Sequence, residues 1–263
     1  MKIDRNQARE AFLSYVSAFD PENPRIALKI DHTLRVADLC ADIAEATGEG
    51  NPNLEGTDVD IAYLMGLLHD IGRFEQVRQF DTFNDSISVP HAKLSAEVLF
   101  DGYNGMPPII NTFADVQGEE ELLRTAIVSH SDFRVDESVD ERTRLFADIL
   151  RDADKIDIIK VNCICPIQDI YGVTDEEMYS SDISDTIEAA FYEHRTIERG
   201  IRKTPADILI SHICFAWELV FKHSREIAFE QGYLTDMLSR HFRNEDTERR
   251  FREMSVHMEK ELK

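Results

Sequence analysis

The run IAYLMGLLHDIGRFEQ, residues 61–76, decides the fold. Its apolar residues (Ile61, Leu64, Met65, Leu67, Leu68, Ile71) occupy nearly every side of a 3.6-residue period, so the spacing predicts a buried helix over 58–71. Thr57 and Asp60 read as a variant capping box that opens it. Two residues interrupt the apolar surface, His69 and Asp70. Burying an imidazole beside a carboxylate costs several kcal/mol, roughly, unless partners satisfy both.

Working outward from this pair, other polar residues sit on apolar stripes in the same way. His32 lies on Leu28, His32, Val36, Leu39 and Ile43, within a helix predicted over 24–46. His91 follows Pro90 at the start of a helix over 90–100, in line with Leu94 and Val98. His130 ends the stripe Leu123, Ile127, His130 of a helix over 119–131. Asp154 falls between Leu150 and Ile158 in a helix over 140–162. Five helices therefore each direct an imidazole or a carboxylate inward. Separate hydrogen-bonded accidents explain this poorly, whereas a shared metal centre satisfies all of them.

A donor set of imidazole nitrogen and carboxylate oxygen without thiolate suits iron, manganese, zinc, cobalt or nickel. Six protein ligands, His32, His69, Asp70, His91, His130 and Asp154, exceed what one catalytic ion takes while keeping a position open for water. Two divalent transition-metal ions bridged by one carboxylate fit better, and Asp70 is the natural bridge.

Helical signals continue through the remainder. A first helix is expected over 5–18 behind Asp4, and later ones over 183–195, 205–230 (Thr204 as cap, Pro205 in the first turn), 233–243 and 246–261. Residues 165–181 are less regular, with Thr174 and Glu177 marking a further helix start. No segment alternates with period two. The expected fold is all-α: a helical metal-binding core over 1–165, and a helical extension over 166–263 packed on it as one globular unit.

The order His, His-Asp, Asp, in the segments DHTLRVADL (31–39), LLHDIGRFEQ (67–76) and ILRDADKIDII (149–159), resembles the HD-domain superfamily of metal-dependent phosphohydrolases. On that resemblance His32, His69, Asp70 and Asp154 match the four defining ligands. Asp154 is preferred to Asp152 and Asp157 for its Ala153-Asp154-Lys155 context. His91 in SVPHAKLSAEVL and His130 in RTAIVSHSDF resemble the two extra histidines of the two-metal subset. That subset contains HD-GYP phosphodiesterases, bacterial diadenosine tetraphosphate hydrolases, and di-iron oxygenases such as myo-inositol oxygenase. Ser131 stands where HD-GYP proteins usually have a second histidine, and no Gly-Tyr-Pro follows, which disfavours cyclic di-GMP.

The resemblance implies hydrolysis of a small, nucleotide-like phosphoester or phosphoanhydride by a metal-activated water, with Asp70 orienting the nucleophile. Arg73, at the family's common basic position after His-Asp-x-Gly, and Lys155 are the expected phosphate contacts; Lys29 and Lys93 read as surface ion pairs. A di-iron oxygenase acting on a small polar or phosphonate-like substrate is the alternative with the same ligands. A non-catalytic HD binding module is disfavoured, because all six ligand positions are filled.

A formal charge of −22 argues against a nucleic acid polymer, which requires a basic footprint, but leaves room for a small phosphorylated substrate held by local cations. No apolar run reaches the roughly 20 residues of a membrane span, and the N-terminal MKIDRNQARE lacks a secretory apolar segment. A cytoplasmic protein is expected, with a homo-oligomer among its expected states. The four cysteines form no CxxC pair and read as buried thiols. Among the remaining histidines only His212, in an apolar run, is a candidate to line a pocket.

Overall fold

Helices follow one another along the described residues. The structure, a computed structural model, describes residues 3–48, 54 and 56–261, and the β pairing among them is an isolated bridge between Tyr103 and Met106. The fold is all-α. No described helix is long and apolar enough to cross a membrane. The chain divides into two compact units, Met1–Asp154 and Lys155–Lys263.

In the first unit, α1 (Arg5–Val16) begins where expected, with the Asp4 carboxylate accepting from the Asn6 and Gln7 amides at 3.0 and 3.1 Å. It is followed by α2 (Pro24–Gly48), α3 (Asp58–Leu68), α4 (Ile71–Phe80), α5 (His91–Ala96), α6 (Ile110–Phe113), α7 (Glu120–Ser129) and the first part of α8 (Glu141–Ile164), whose residues from Lys155 on belong to the second unit. The long helices α2 and α3 approach closely at Gly66. A Cβ there would lie 2.8 Å from the Ala37 Cα and 2.9 Å from the Val36 oxygen. Phe12, Phe74, Phe113, Phe146, Leu64, Met65, Leu67 and Leu68 are fully buried.

The helix expected over 58–71 is not continuous. It stops at Leu68, and α4 starts at Ile71, with Asp70 at φ −107°, ψ 17° between them. Successive side chains on an unbroken helix point about 100° apart, whereas the break lets His69 and Asp70 converge to 3.4 Å. The Thr57 cap is also corrected: its hydroxyl makes no capping bond, and the Asp60 carboxylate instead takes Arg5 Nε at 2.6 Å.

The second unit holds short helices: α9 (Ile167–Tyr171), α10 (Asp175–Tyr179), α11 (Asp185–Tyr192), α12 (Pro205–Ile213), α13 (Phe215–Glu218), α14 (Lys222–Glu230), α15 (Tyr233–Leu238) and α16 (Glu245–Glu261). The capping boxes at Thr174–Glu177 and Thr204–Asp207 form as four-residue reciprocal bonds. The helix expected over 205–230 is three pieces, broken at Cys214 and again after Glu218, where Leu219 turns to extended backbone (ψ 120°) and Arg225 Nη1 donates to the Leu219 and Val220 carbonyls at 2.7 and 3.0 Å. Met178, Ile187, Leu209, Ile210, Met237, Phe251 and Met258 form its core. Arg250 ties α16 to α11 through Glu188 and the Ile183 carbonyl, at 2.9 and 2.7 Å.

Candidate metal centre

Asp70 sits at the N-cap of α4, where an aspartate ordinarily gives its carboxylate to the helix's own amides. Asp70 makes no such bond. The Gly72 amide donates to Ser95 Oγ on α5 instead, at 3.0 Å, and α5 comes close enough because Gly72 has no side chain. A Cβ at Gly72 would be 2.5 Å from the Ser95 nitrogen and 2.9 Å from the His91 oxygen. Ser95 thus leaves the Asp70 carboxylate available for the interior.

The two oxygens of Asp70 face different groups. Oδ2 is 3.6 Å from His32 Nε2 and 3.4 Å from His69 Nε2. Oδ1 is 3.6 Å from His91 Nε2 and 3.9 Å from His130 Nε2. Two buried donor groups result, His32–His69–Asp70 and Asp70–His91–His130, each tight enough to hold a metal ion and sharing one carboxylate. Asp154 extends the first: its Oδ1 lies 3.3 Å from His32 Nε2 and 3.9 Å from His69 Nε2. The six residues singled out in the sequence therefore meet in one place.

The ring nitrogens indicate what the place requires. His69 Nδ1 is 2.7 Å from the Gly66 carbonyl, His130 Nδ1 is 2.6 Å from the Ile127 carbonyl, and His91 Nδ1 is 2.6 Å from Asp85 Oδ2. Carbonyl and carboxylate oxygens only accept, so each Nδ1 carries a proton and each Nε2 faces the centre. His91 Nε2 and His130 Nε2 lie 3.1 Å apart. Two lone pairs cannot form a hydrogen bond. A second proton on either ring is opposed by burial, which lowers the pKa of His91, with Arg73 adding to it, and that of His130 to about 3, with His91 and His69 adding to it. His69 Nε2 and Asp70 Oδ1 are likewise buried with no hydrogen-bond partner among the described residues. A cation between these atoms answers every one of these mismatches, so the donor set fits a metal.

Charge around the carboxylates is consistent with this. Burial alone would raise the pKa of Asp70, but the Lys29 ammonium, with Arg73 beside it, holds it well below the usual range. Asp154, opposed in the same way by burial, is held low chiefly by His32. Lys29 Nζ reaches Asp70 Oδ2 at 2.5 Å and lies 5.5 Å from the centre of the Phe83 ring, so it belongs to the site and not to the surface. Lys93 is exposed.

Arg73 is buried, with Nη1 donating to Gln76 Oε1 (2.6 Å), the Phe83 carbonyl (2.8 Å) and Asp85 Oδ1 (3.0 Å). Its Nε stands 3.6 Å from Asp70 Oδ1. Lys155 Nζ pairs with Glu218 Oε2 at 2.9 Å, and a phosphate contact by Lys155 would have to replace that partner. His212 is partly buried in the second unit, with Nδ1 at 3.2 Å from Asn162 Oδ1 and its ring stacked on Tyr171.

Residues that sequence reasoning passed over also hold the centre. Arg151 Nη1 donates to the carbonyls of Ser129, His130 and Asp132 at 2.9, 3.2 and 2.6 Å, satisfying the C-terminal end of α7 where His130 is carried. The one signal for it was its position three residues before Asp154, on an adjoining face of α8.

Residues 30–159 match the family model of the HD domain. The chain carries an HD domain. HD domains form a hydrolase-like superfamily that depends on metal, and the matched segment spans all six clustered residues. No curated protein and no solved structure matches the chain significantly.

Proposed function

We propose that this HD protein is a two-ion phosphohydrolase acting on a small phosphoester or phosphoanhydride, nucleotide-like in kind. The observation that carries the reading is the divergence of the two Asp70 oxygens, each toward its own pair of imidazole lone pairs. His32, His69, Asp154 and Asp70 Oδ2 would hold one ion; His91, His130 and Asp70 Oδ1 the other. Bound there, divalent cations supply an acidified water as nucleophile and neutralise charge on the phosphoryl group and the leaving oxygen.

The chain's own residues arrange the rest. Asp70, held ionised by Lys29 and Arg73, fixes the spacing of the two positions and offers its carboxylate to the attacking water. Nδ1–H bonds to Gly66, Ile127 and Asp85 keep the histidine lone pairs inward, so no ring has to change its protonation before ligating. Lys29 and Arg73 are the cations beside Asp70 and the groups best placed to balance an incoming phosphate. The strong negative charge of the chain as a whole disfavours a nucleic acid polymer and leaves room for a small phosphorylated substrate held by local cations.

The test is metal-reconstituted protein assayed against phosphomonoesters, phosphodiesters and nucleoside polyphosphates, with oxygen present and excluded. Turnover without oxygen that disappears in Asp70→Ala supports the assignment. Turnover only with reduced iron and air would replace it with the di-iron oxygenase reading.

A further inference from the structure

His69 and His130 fix their rings by donating Nδ1–H to the carbonyl three residues earlier on their own helix, Gly66 and Ile127. His91 cannot do this. It is the first residue of α5, so the position three residues earlier, Ser88, lies outside the helix, in the segment that follows α4. Its Nδ1 proton goes instead to a side chain, Asp85 Oδ2, at 2.6 Å.

Asp85 sits in a short 3-10 turn, Asp85–Ile87, in a largely exposed segment, yet its other oxygen is fastened from α4. Oδ1 accepts from Arg73 Nη1 and from Gln76 Nε2, each at 3.0 Å. Gln76 Nε2 also donates to Ser88 Oγ and the Val89 carbonyl, both at 2.9 Å, and Arg73 Nη1 to the Phe83 carbonyl at 2.8 Å. Two buried side chains of one helix thus hold this carboxylate, and the carboxylate holds one ring.

Resting on the two-ion reading above, we propose that Asp85 is the positioning residue that commits His91 to the second ion, with Arg73 and Gln76 as its clamp. The Asp85 carboxylate accepts only from Nδ1–H, so it fixes the tautomer whose Nε2 lone pair faces His130 and Asp70 Oδ1. His69, assigned to the first ion, takes its Nδ1 acceptor from Gly66 and not from this segment. Arg73 acts here through Asp85 and not as a substrate ligand alone.

The isosteric variant Asp85→Asn separates the two positions. If its amide nitrogen faces His91, Nδ1 must become the acceptor, and the proton moves to Nε2, where it blocks ligation. If its oxygen faces His91, the amide protons meet Arg73 and Gln76, donors against donors. Metal-free wild type and variant are titrated with manganese and counted for bound ion, and the His91 ring nitrogens are read by NMR in the metal-free state. We expect wild type to bind two ions, and Asp85→Asn to keep the first while binding the second about 10–100-fold more weakly. We also expect the variant's His91 to lose its uniform Nδ1–H tautomer. Two ions at unchanged affinity in the variant overturn the role of Asp85. Loss of both ions together would make Asp85 a general structural residue and equally overturn it. A wild type that binds one ion defeats the underlying two-ion reading, which is a result distinct from either.

Discussion

Replacing Gly72 with alanine tests how the centre is assembled. The added Cβ would lie 2.5 Å from the Ser95 nitrogen, 2.9 Å from the His91 oxygen and 2.9 Å from the Leu94 carbonyl carbon. All three are backbone atoms of α5 and its start, so no side chain can swing away and the two helices must separate. Overpacking of this kind costs about 1–3 kcal/mol. The move also stretches the Gly72 N–H to Ser95 Oγ bond, now 3.0 Å, worth about 0.5–1.5 kcal/mol. Alanine's better helix propensity returns about 1 kcal/mol. The net expectation is a loss of about 0.5–3.5 kcal/mol, read as a Tm lower by roughly 1–14 °C in metal-free protein. Because His91 is carried on the displaced helix, ion binding by His91 and His130 should weaken as well. Gly200→Ala, where an added Cβ meets nothing within 4 Å, is the control and should stay close to wild type. A Gly72→Ala protein with wild-type Tm and wild-type metal content would refute the argument that α4 and α5 must touch at this glycine to form the site.

Ser95→Ala should cost about 1–3 kcal/mol in urea unfolding, since the buried Gly72 amide loses its acceptor, and should pull the Asp70 carboxylate toward capping duty, lowering metal affinity. Arg151→Ala removes a cation shared by the Ser129, His130 and Asp132 carbonyls; a loss of about 2–4 kcal/mol is expected, with a smaller one discrediting its role at the end of α7. Metal-free protein should become acid-labile. The folded pKa of His130 is lowered to about 3 and that of an unfolded histidine is about 6.5, so the unfolded chain binds the extra proton between these values and stability falls as pH drops through that window. The depressed Asp70 and Asp154 act in the same direction below about pH 4, and a urea midpoint that stays flat from pH 7 to 4 would contradict the histidine effect.

The sequence made the ligand set legible because each ligand interrupts an apolar stripe: His32, His69, His130 and Asp154 are visible one helix at a time, and the family match covers the same stretch. What it could not show are contacts that depend on which helices become neighbours. Lys29 and Asp70 are 41 residues apart, and Arg151 and His130 lie on separate helices joined by a loop. Thr57 and Asp60 have the spacing of a cap, but Arg5, 55 residues from Asp60, offers that carboxylate a charged partner and the local bond does not form. Tertiary electrostatics overrode a local preference there.

The break at His69–Asp70 was hidden for a related reason. Apolar periodicity reports burial, and both α3 and the start of α4 are buried, so the pattern runs through the junction without a mark. The usual sequence sign of a helix start is a polar N-cap whose side chain serves the new helix, and Asp70 stands at that position without doing so. Its carboxylate can turn to the imidazoles only because a hydroxyl 23 residues downstream from Gly72 takes the amide. That hydroxyl can reach the amide only where residue 72 has no side chain. The glycine of His-Asp-x-Gly is therefore part of the metal chemistry without touching a ligand: it admits Ser95, Ser95 satisfies the helix, and the helix leaves Asp70 free to stand between two pairs of histidines.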